Sequence, residues 1–389
     1  MNQLQESARL LFRGALLIFV VTIVIGILNG LDVWEPGPNM LLTHVHSGTL
    51  GWITLAVGGS LLSIFGGSLD VKSIRSGKQL SMALLVTVVL YVIAFAVGSG
   101  IYRPIAGTLL LIVLIWLLVW TAGRYQASEK STAQLAIYLT VVSLVIGAIL
   151  GVLLGLFIAN GSLPGFSTER AASLGAAHPA SMLIGYLILA GVAITAWQLN
   201  GANSRAGKVV AWMLFAAGLI AIASFIFNIE ALTQVFSLLQ VIAIITYLVI
   251  MWRHLRPGST GSPFARVAVV FLAVGIGLLV YVVQLFVSGA LDPETGTGPI
   301  GVLTAFDHAM FIGVMTNALF AVVAGLGGWR LGSNRLLIWA INIGVSGFIV
   351  GLIVDSSLLK RIFTPILGLA LLAAIFTAVP ALSRSSAPA

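Results

Sequence analysis

His44 and His46, one valine apart, open the run Ser47-Gly48-Thr49-Leu50-Gly51-Trp52, and no charged residue follows until Asp70. Neutral imidazole is a strong axial ligand for haem iron and a good one for copper. An ionisable side chain at membrane depth is costly enough to suggest a functional site, and a place near a helix end weakens that suggestion. Three apolar stretches share the pattern: His44 and His46 precede Gly51, His178 precedes Gly185, and His308 precedes Gly313. His44 and His178 stand seven residues ahead of their glycine, and His46 and His308 five. Residues two apart on a helix point roughly 200° from each other, so His44 and His46 cannot serve one metal ion. Taken singly, each histidine is explained as a satisfied polar residue at a helix end; four in register point to haem or metal binding. His254, in Trp252-Arg253-His254-Leu255-Arg256, reads as a solvated residue of a basic loop.

The elements that must carry these groups follow from composition. Of 389 residues, 59% are hydrophobic and only 8% charged, which specifies an all-α, polytopic membrane protein forming a single transmembrane domain over 1–389. Twelve stretches reach the roughly 20 apolar residues a spanning helix needs. The first reads as a retained helix, since no small-residue cleavage pattern follows it. The three glycines are 134 and 128 residues apart, about four helices, dividing the chain into three four-helix repeats at approximately 1–130, 131–262 and 263–389. Thr43, Pro179 and Asp307 are the expected start signals of the three histidine-bearing helices.

Short loops rich in Lys and Arg stay in the cytoplasm. With both termini there, fifteen of the 19 basic residues lie inside, against Arg103, Arg170, Lys360 and Arg361 outside. Asp32, Glu35, Glu169, Glu230, Asp292, Glu294, Asp307 and Asp355 fall on the outer face. The net charge of +8 is therefore a topology signal, and nucleic acid is an unnecessary partner. Cysteine is absent, which removes disulfides, thiolate-held clusters and covalently attached haem. Gly147, Gly151 and Gly155 on the fifth stretch suit close helix approach; Gly58-Gly59 and Gly66-Gly67 suit the same, or room for a porphyrin face.

The run from His44 to Trp52 resembles the tenth-helix signature of the C-type (cbb-type) members of the haem–copper oxidase subunit I superfamily, although here it stands on helix two. Helix number, orientation and repeat are similar as well. The resemblance implies three arcs of four helices about a pseudo-threefold axis. It also implies a low-spin haem b clamped by His44 and His308, and rotation of that rule by one repeat gives a second clamp of His46 and His178. The departures concern copper, which that family holds with a helix-six histidine and a His-His pair on helix seven, and the tenth helix, whose haem-binding histidine faces that metal in the family and which here offers only His308. Helix seven here, roughly Val209–Phe227, has no histidine, and His178 alone would leave copper under-coordinated.

These features lead to the expectation of a haem b electron-transfer subunit, with one or two haems and no oxygen-reducing site of its own. It would sit in the inner (cytoplasmic) membrane of a respiratory chain, among other redox subunits, between membrane quinol and an outer-face electron carrier. Arg103 and Arg170 are candidates for pairing with haem propionates, and Trp34, Trp52 and Tyr102 for walling the pockets; membrane anchoring is the competing reading for the aromatics. The alternatives are an NnrS-like haem–copper protein of nitric oxide metabolism, with metal on His46 and His178, a degenerate nitric oxide reductase or oxidase, or a transporter without redox centres, for which charged midplane sites are missing.

Overall fold

A computed structural model describes residues 4–67, 69–98, 100–201, 203–256, 259, 261–291, 297–327, 329 and 335–384. Asp292, Glu294 and Arg330, which entered the charge balance above, lie outside them. Among the described residues twelve helices are long and apolar enough to cross a membrane: α1 Gln5–Gly30, α2 Pro38–Phe65, α3 Val71–Val97, α4 Tyr102–Gln126, α5 Thr132–Asn160, α6 Thr168–Gln198, α7 Arg205–Phe227, α8 Glu230–Leu255, α9 Pro263–Val287, α10 Gly301–Leu326, α11 Arg335–Ile353 and α12 Ser357–Ser383. The chain is a polytopic, all-helical membrane protein.

The three histidine-bearing helices form the centre. Over their most apolar stretches α2, α6 and α10 are 83%, 89% and 72% buried, whereas the other nine reach at most 44%. A helix apolar all round must bury all of its faces or give them to lipid, and these three bury theirs against protein. Hydrogen bonds join them at mid-depth. Trp52 Nε1 of α2 donates to Thr316 Oγ1 of α10 at 3.0 Å, and the Thr54 hydroxyl of α2 meets that of Tyr186 of α6 at 3.0 Å. Asn317 and Asn342 exchange amide hydrogen bonds of 2.8 and 3.2 Å between α10 and α11, so each satisfies the other's polar group inside an apolar layer.

The central helices share a change of pitch. Ser47–Thr54, Ser181–Leu187 and Ala309–Thr316 are π-helical, a wider winding that accommodates an extra residue and recurs at functional sites. Thr54 and Thr316 support it from their side chains, donating to the carbonyls five residues back, Thr49 O at 3.0 Å and Phe311 O at 2.9 Å. The glycine of each unit lies within its π-segment, at the closest approach of a neighbour. A Cβ on Gly51 would collide with Ile18 of α1, and one on Gly313 with Phe271 of α9. Gly185 of α6 faces Gly218 of α7, where a Cβ would stand 2.7 Å from the Gly185 Cα.

The helix starts differ from those expected. Thr43, Pro179 and Asp307 all lie inside helical segments that begin at Pro38, Thr168 and Gly301. Thr43 Oγ1 donates to Asn39 O within its own helix, and the cap of α6 is Ser167, whose side chain accepts from Arg170 N. The first turns are less apolar than the spans they extend, which hides these starts from a reading based on hydropathy. The histidines therefore stand well inside their helices and not at frayed ends. His254 likewise belongs to the last turn of α8, not to a loop. Elsewhere caps are conventional: Ser131 and Gln134 form a capping box on α5, and Asp70 accepts from Ser73 N at 2.7 Å to start α3.

At the end opposite the histidines, Arg9 is buried and ties three elements together. Its Nε and Nη2 donate to Leu326 O of α10 at 3.2 and 2.9 Å, and its Nη1 to Arg384 O after α12 at 3.3 Å. Each bond supplies an acceptor for a charge that would be costly to bury alone.

Candidate functional site

Each of the four histidines has its Nδ1 within 2.9 Å of a main-chain carbonyl: His44 to Thr22 O, His46 to Leu42 O, His178 to Gly147 O and His308 to Thr304 O. A carbonyl oxygen only accepts, so Nδ1 carries the proton and Nε2 is left with its lone pair. That is how ligating imidazoles are held: one nitrogen is anchored by a second partner and the other is presented to the metal.

The four fall into two kinds that match their spacing from the glycine. His44 and His178, seven residues ahead, donate to the preceding helix, α1 and α5 respectively. Their acceptors Thr22 and Gly147 are each followed four residues later by a glycine that faces the ring. A Cβ on Gly26 would lie 3.1 Å from His44 Cε1, and one on Gly151 2.8 Å from His178 Cε1. Three residues after each of these histidines a serine donates back to the histidine carbonyl, Ser47 at 3.2 Å and Ser181 at 2.7 Å. His46 and His308, five residues ahead, donate to the carbonyl four residues back in their own helix. Both lean on an aromatic ring of the following helix: His46 stacks on Phe95 of α3 at 3.9 Å between centroids, and His308 meets Phe348 of α11 at 4.9 Å.

One histidine of each kind reaches a common cavity. His46 and His178 line a single cavity of about 340 Å³, within the roughly 300–1,000 Å³ of small-molecule sites. Of the two on α2 only His46 lines it, in keeping with their separation of roughly 200°.

Around the cavity the chemistry is mixed. Arg103 lines it, with Nη2 donating to Asn39 Oδ1 at 2.8 Å and to Phe95 O at 3.3 Å, and its guanidinium carbon lies 4.6 Å from the Phe95 centroid. Its Nε is buried without a hydrogen-bond acceptor, and among the described residues no carboxylate pairs with it. Asp307 also lines the cavity and has no hydrogen bond or ion pair among the described residues. It was expected as an outer-face acid capping α10; the structure turns it inward. Its place beside His308 in an apolar run was the available signal.

Other expected residues stand elsewhere. Arg170 is exposed on the first turn of α6 and does not line the cavity. Trp34 and Tyr102 are exposed, and Trp52 is buried against Phe19 below the histidines. Tyr91, Phe95 and Phe311 wall the cavity instead; Tyr91 and Phe95, four apart on α3, form an aromatic stripe that spacing alone makes visible. Gly147 and Gly155 face Met182 and Pro104 as close-approach glycines, whereas Gly151 faces an imidazole. Gly58 and Gly59 pack against Leu84 and Phe12, not against any ligand space.

Haem is compatible with the residues present: four imidazoles with anchored Nδ1 and an available Nε2, apolar and aromatic cavity walls, and the half-buried Arg103, which no carboxylate pairs with among the described residues. A copper centre of the oxidase kind is not. No histidine lies on α7, and among the described residues no three His, Cys, Asp or Glu side chains converge on a metal-sized point. A scan against protein-family models finds no match to the chain, and a search of curated proteins finds none either.

Proposed function

We propose that the chain is a haem b-binding redox subunit of the inner membrane, holding two haems between His46 and His178 and between His44 and His308. It resembles haem–copper oxidase subunit I without the copper site. Bound haem, held by His46 and His178 and by His44 and His308, would supply one-electron redox chemistry. The protein's part is to fix four imidazoles, exclude water with apolar walls, and neutralise propionates at Arg103. Electrons would pass between membrane quinol and a redox protein docked at the histidine end. The observation that carries this reading is the set of four anchored Nδ1 atoms, which leave four Nε2 lone pairs available, two of them on histidines that line one cavity.

The finer architecture belongs to the same proposal: three four-helix repeats about a pseudo-threefold axis, with both termini cytoplasmic. Equivalent joints support it, since α4 packs on α5, α8 on α9 and α12 on α1. So do the three π-segments and the matched anchors of His44 and His178.

A pyridine haemochrome assay with optical and EPR spectra of the purified chain tests the function. Two low-spin b haems are expected. One low-spin haem beside a high-spin species that binds carbon monoxide would favour the nitric oxide reading instead, with an open metal position at His46 and His178. Absence of haem would remove the electron-relay reading altogether.

A further inference from the structure

At the end opposite the histidines, the turn after α6 is wedged between the end of α8 and the start of α9. A Cβ on Gly201 would lie 2.6 Å from Met251 Sδ and 3.2 Å from His254 Cδ2, and one on Gly261 2.7 Å from Leu199 Cδ2. Arg253 and Arg256 are exposed on the α8 side of this junction, and Arg266 stands half-buried in the first turn of α9 on the other. Among the described residues no carboxylate pairs with any of the three. Between Leu199 and Leu291 the sequence has one acid, Glu230, at the far end of α8. Arg9 and Arg124, at the same end of the molecule, do have carboxylates, Glu6 and Asp70. Arg266 Nη2 donates to Gly261 O at 3.2 Å, but its Nε and the neighbouring Ser262 Oγ have no hydrogen-bond partner.

Each side of the junction continues into an apolar stripe. On α8, Arg256 shares its exposed face with Trp252 and Val249, 60% and 70% exposed, the valine ~10 Å deeper at the helical rise. On α9, Val270 lies one turn beyond Arg266 and is 52% exposed. Unpaired cations at the rim and bare apolar surface beneath them are what a charged amphiphile would cover. We propose that this junction holds an anionic phospholipid, with its phosphate between the arginines of α8 and Arg266 and its chains along Val249, Trp252 and Val270. Guanidinium forks match phosphate oxygens, and the uncompensated charge draws anionic headgroups to this end. A free anion would satisfy the arginines and leave the apolar stripes bare.

The test is native mass spectrometry of the purified, detergent-washed chain, with the retained lipid identified by fragmentation. One anionic phospholipid per chain should remain, and zwitterionic lipid should not. The double variant Arg256→Gln/Arg266→Gln should lower its retention at least fivefold. Lys72→Gln/Lys78→Gln, which removes the same charge from exposed positions of α3 at the same end, should leave it unchanged. Equal losses in the two variants would reduce the effect to net charge and overturn the site, as would full retention in the arginine variant. A second measurement needs only the wild type. Phosphatidylglycerol should raise its thermal unfolding midpoint above that in phosphatidylcholine of the same chain length. No difference between the two lipids, or an equal rise with inorganic phosphate alone, overturns the proposal as well.

Discussion

At the scale of single residues, the division of four histidines into two pairs makes the sharpest prediction. Substituting His46 or His178 by alanine should remove one haem and spare the other, and His44→Ala or His308→Ala should remove the complementary one. Loss of both from one substitution would sink the pairing. Gly151→Leu tests the same pair without touching a ligand, because its side chain must displace an imidazole that already stands 2.8 Å from a Cβ. The His46–His178 haem should be lost or turn high-spin while the other spectrum stays unchanged. Away from the site, Asp70 caps α3 through Ser73 N and Ser73 Oγ, and these bonds hold its carboxyl below the ordinary value of 3.8, with Arg124 contributing less. A depressed carboxylate stabilises the fold fully above its unfolded value and loses that contribution as pH falls through its folded value. Thermal unfolding midpoints of wild type should therefore drop more steeply below about pH 4 than those of Asp70→Asn; parallel curves would refute this cap's role in acid stability.

At the scale of elements, each π-segment closely follows the histidines of its helix and is expected to set their direction. A residue advances an α-helix by about 100°, so the extra residue housed in Ser47–Thr54 rotates the histidine half of α2 relative to the half below. Deleting Gly48 lets the segment rewind as α-helix and turns His44 and His46 away from their partners. Both haems should then be lost, while gel filtration and the unfolding midpoint show a folded protein. Retention of both haems in a folded deletion variant would show that the pitch does not set the aim. Trp52→Phe probes the joint between two such segments: it removes the bond to Thr316 and should lower stability by about 0.6 kcal/mol, the mean for interhelical hydrogen bonds in membranes.

At the scale of the whole molecule, the absence of cysteine makes orientation directly measurable. In right-side-out vesicles, an impermeant thiol reagent should label Ser162→Cys, between α5 and α6, and should reach Glu129→Cys, between α4 and α5, only after permeabilisation. The reverse result would invert the molecule and move its histidine layer to the inner leaflet. The charge distribution predicts the first outcome, with Arg103, Arg170, Lys360 and Arg361 alone among the basic residues on the outer side.

What is local or cumulative is legible in the residues alone. Apolar runs long enough for a bilayer define twelve helices because length and hydropathy suffice for insertion, and the histidine-to-glycine spacing singles out the three stretches that become the buried α2, α6 and α10. The sequence also singled out the four histidines whose Nδ1 atoms the structure anchors on main-chain carbonyls, since an imidazole in an apolar run is visible without a fold. Tertiary structure decided what depends on residues more than a hundred positions apart: that His46 shares a cavity with His178, that Arg103 reaches it and Arg170 does not, and that Asp307 faces inward although its neighbours read as a helix start. The walls were misjudged for a related reason. Trp34 and Tyr102 have the right chemistry at the right depth, but the direction of a side chain depends on the rotation of its helix against its neighbours. That rotation is set by close contacts such as Gly185 on Gly218 and by π-segments whose extra residue leaves no mark in the periodicity of an all-apolar helix.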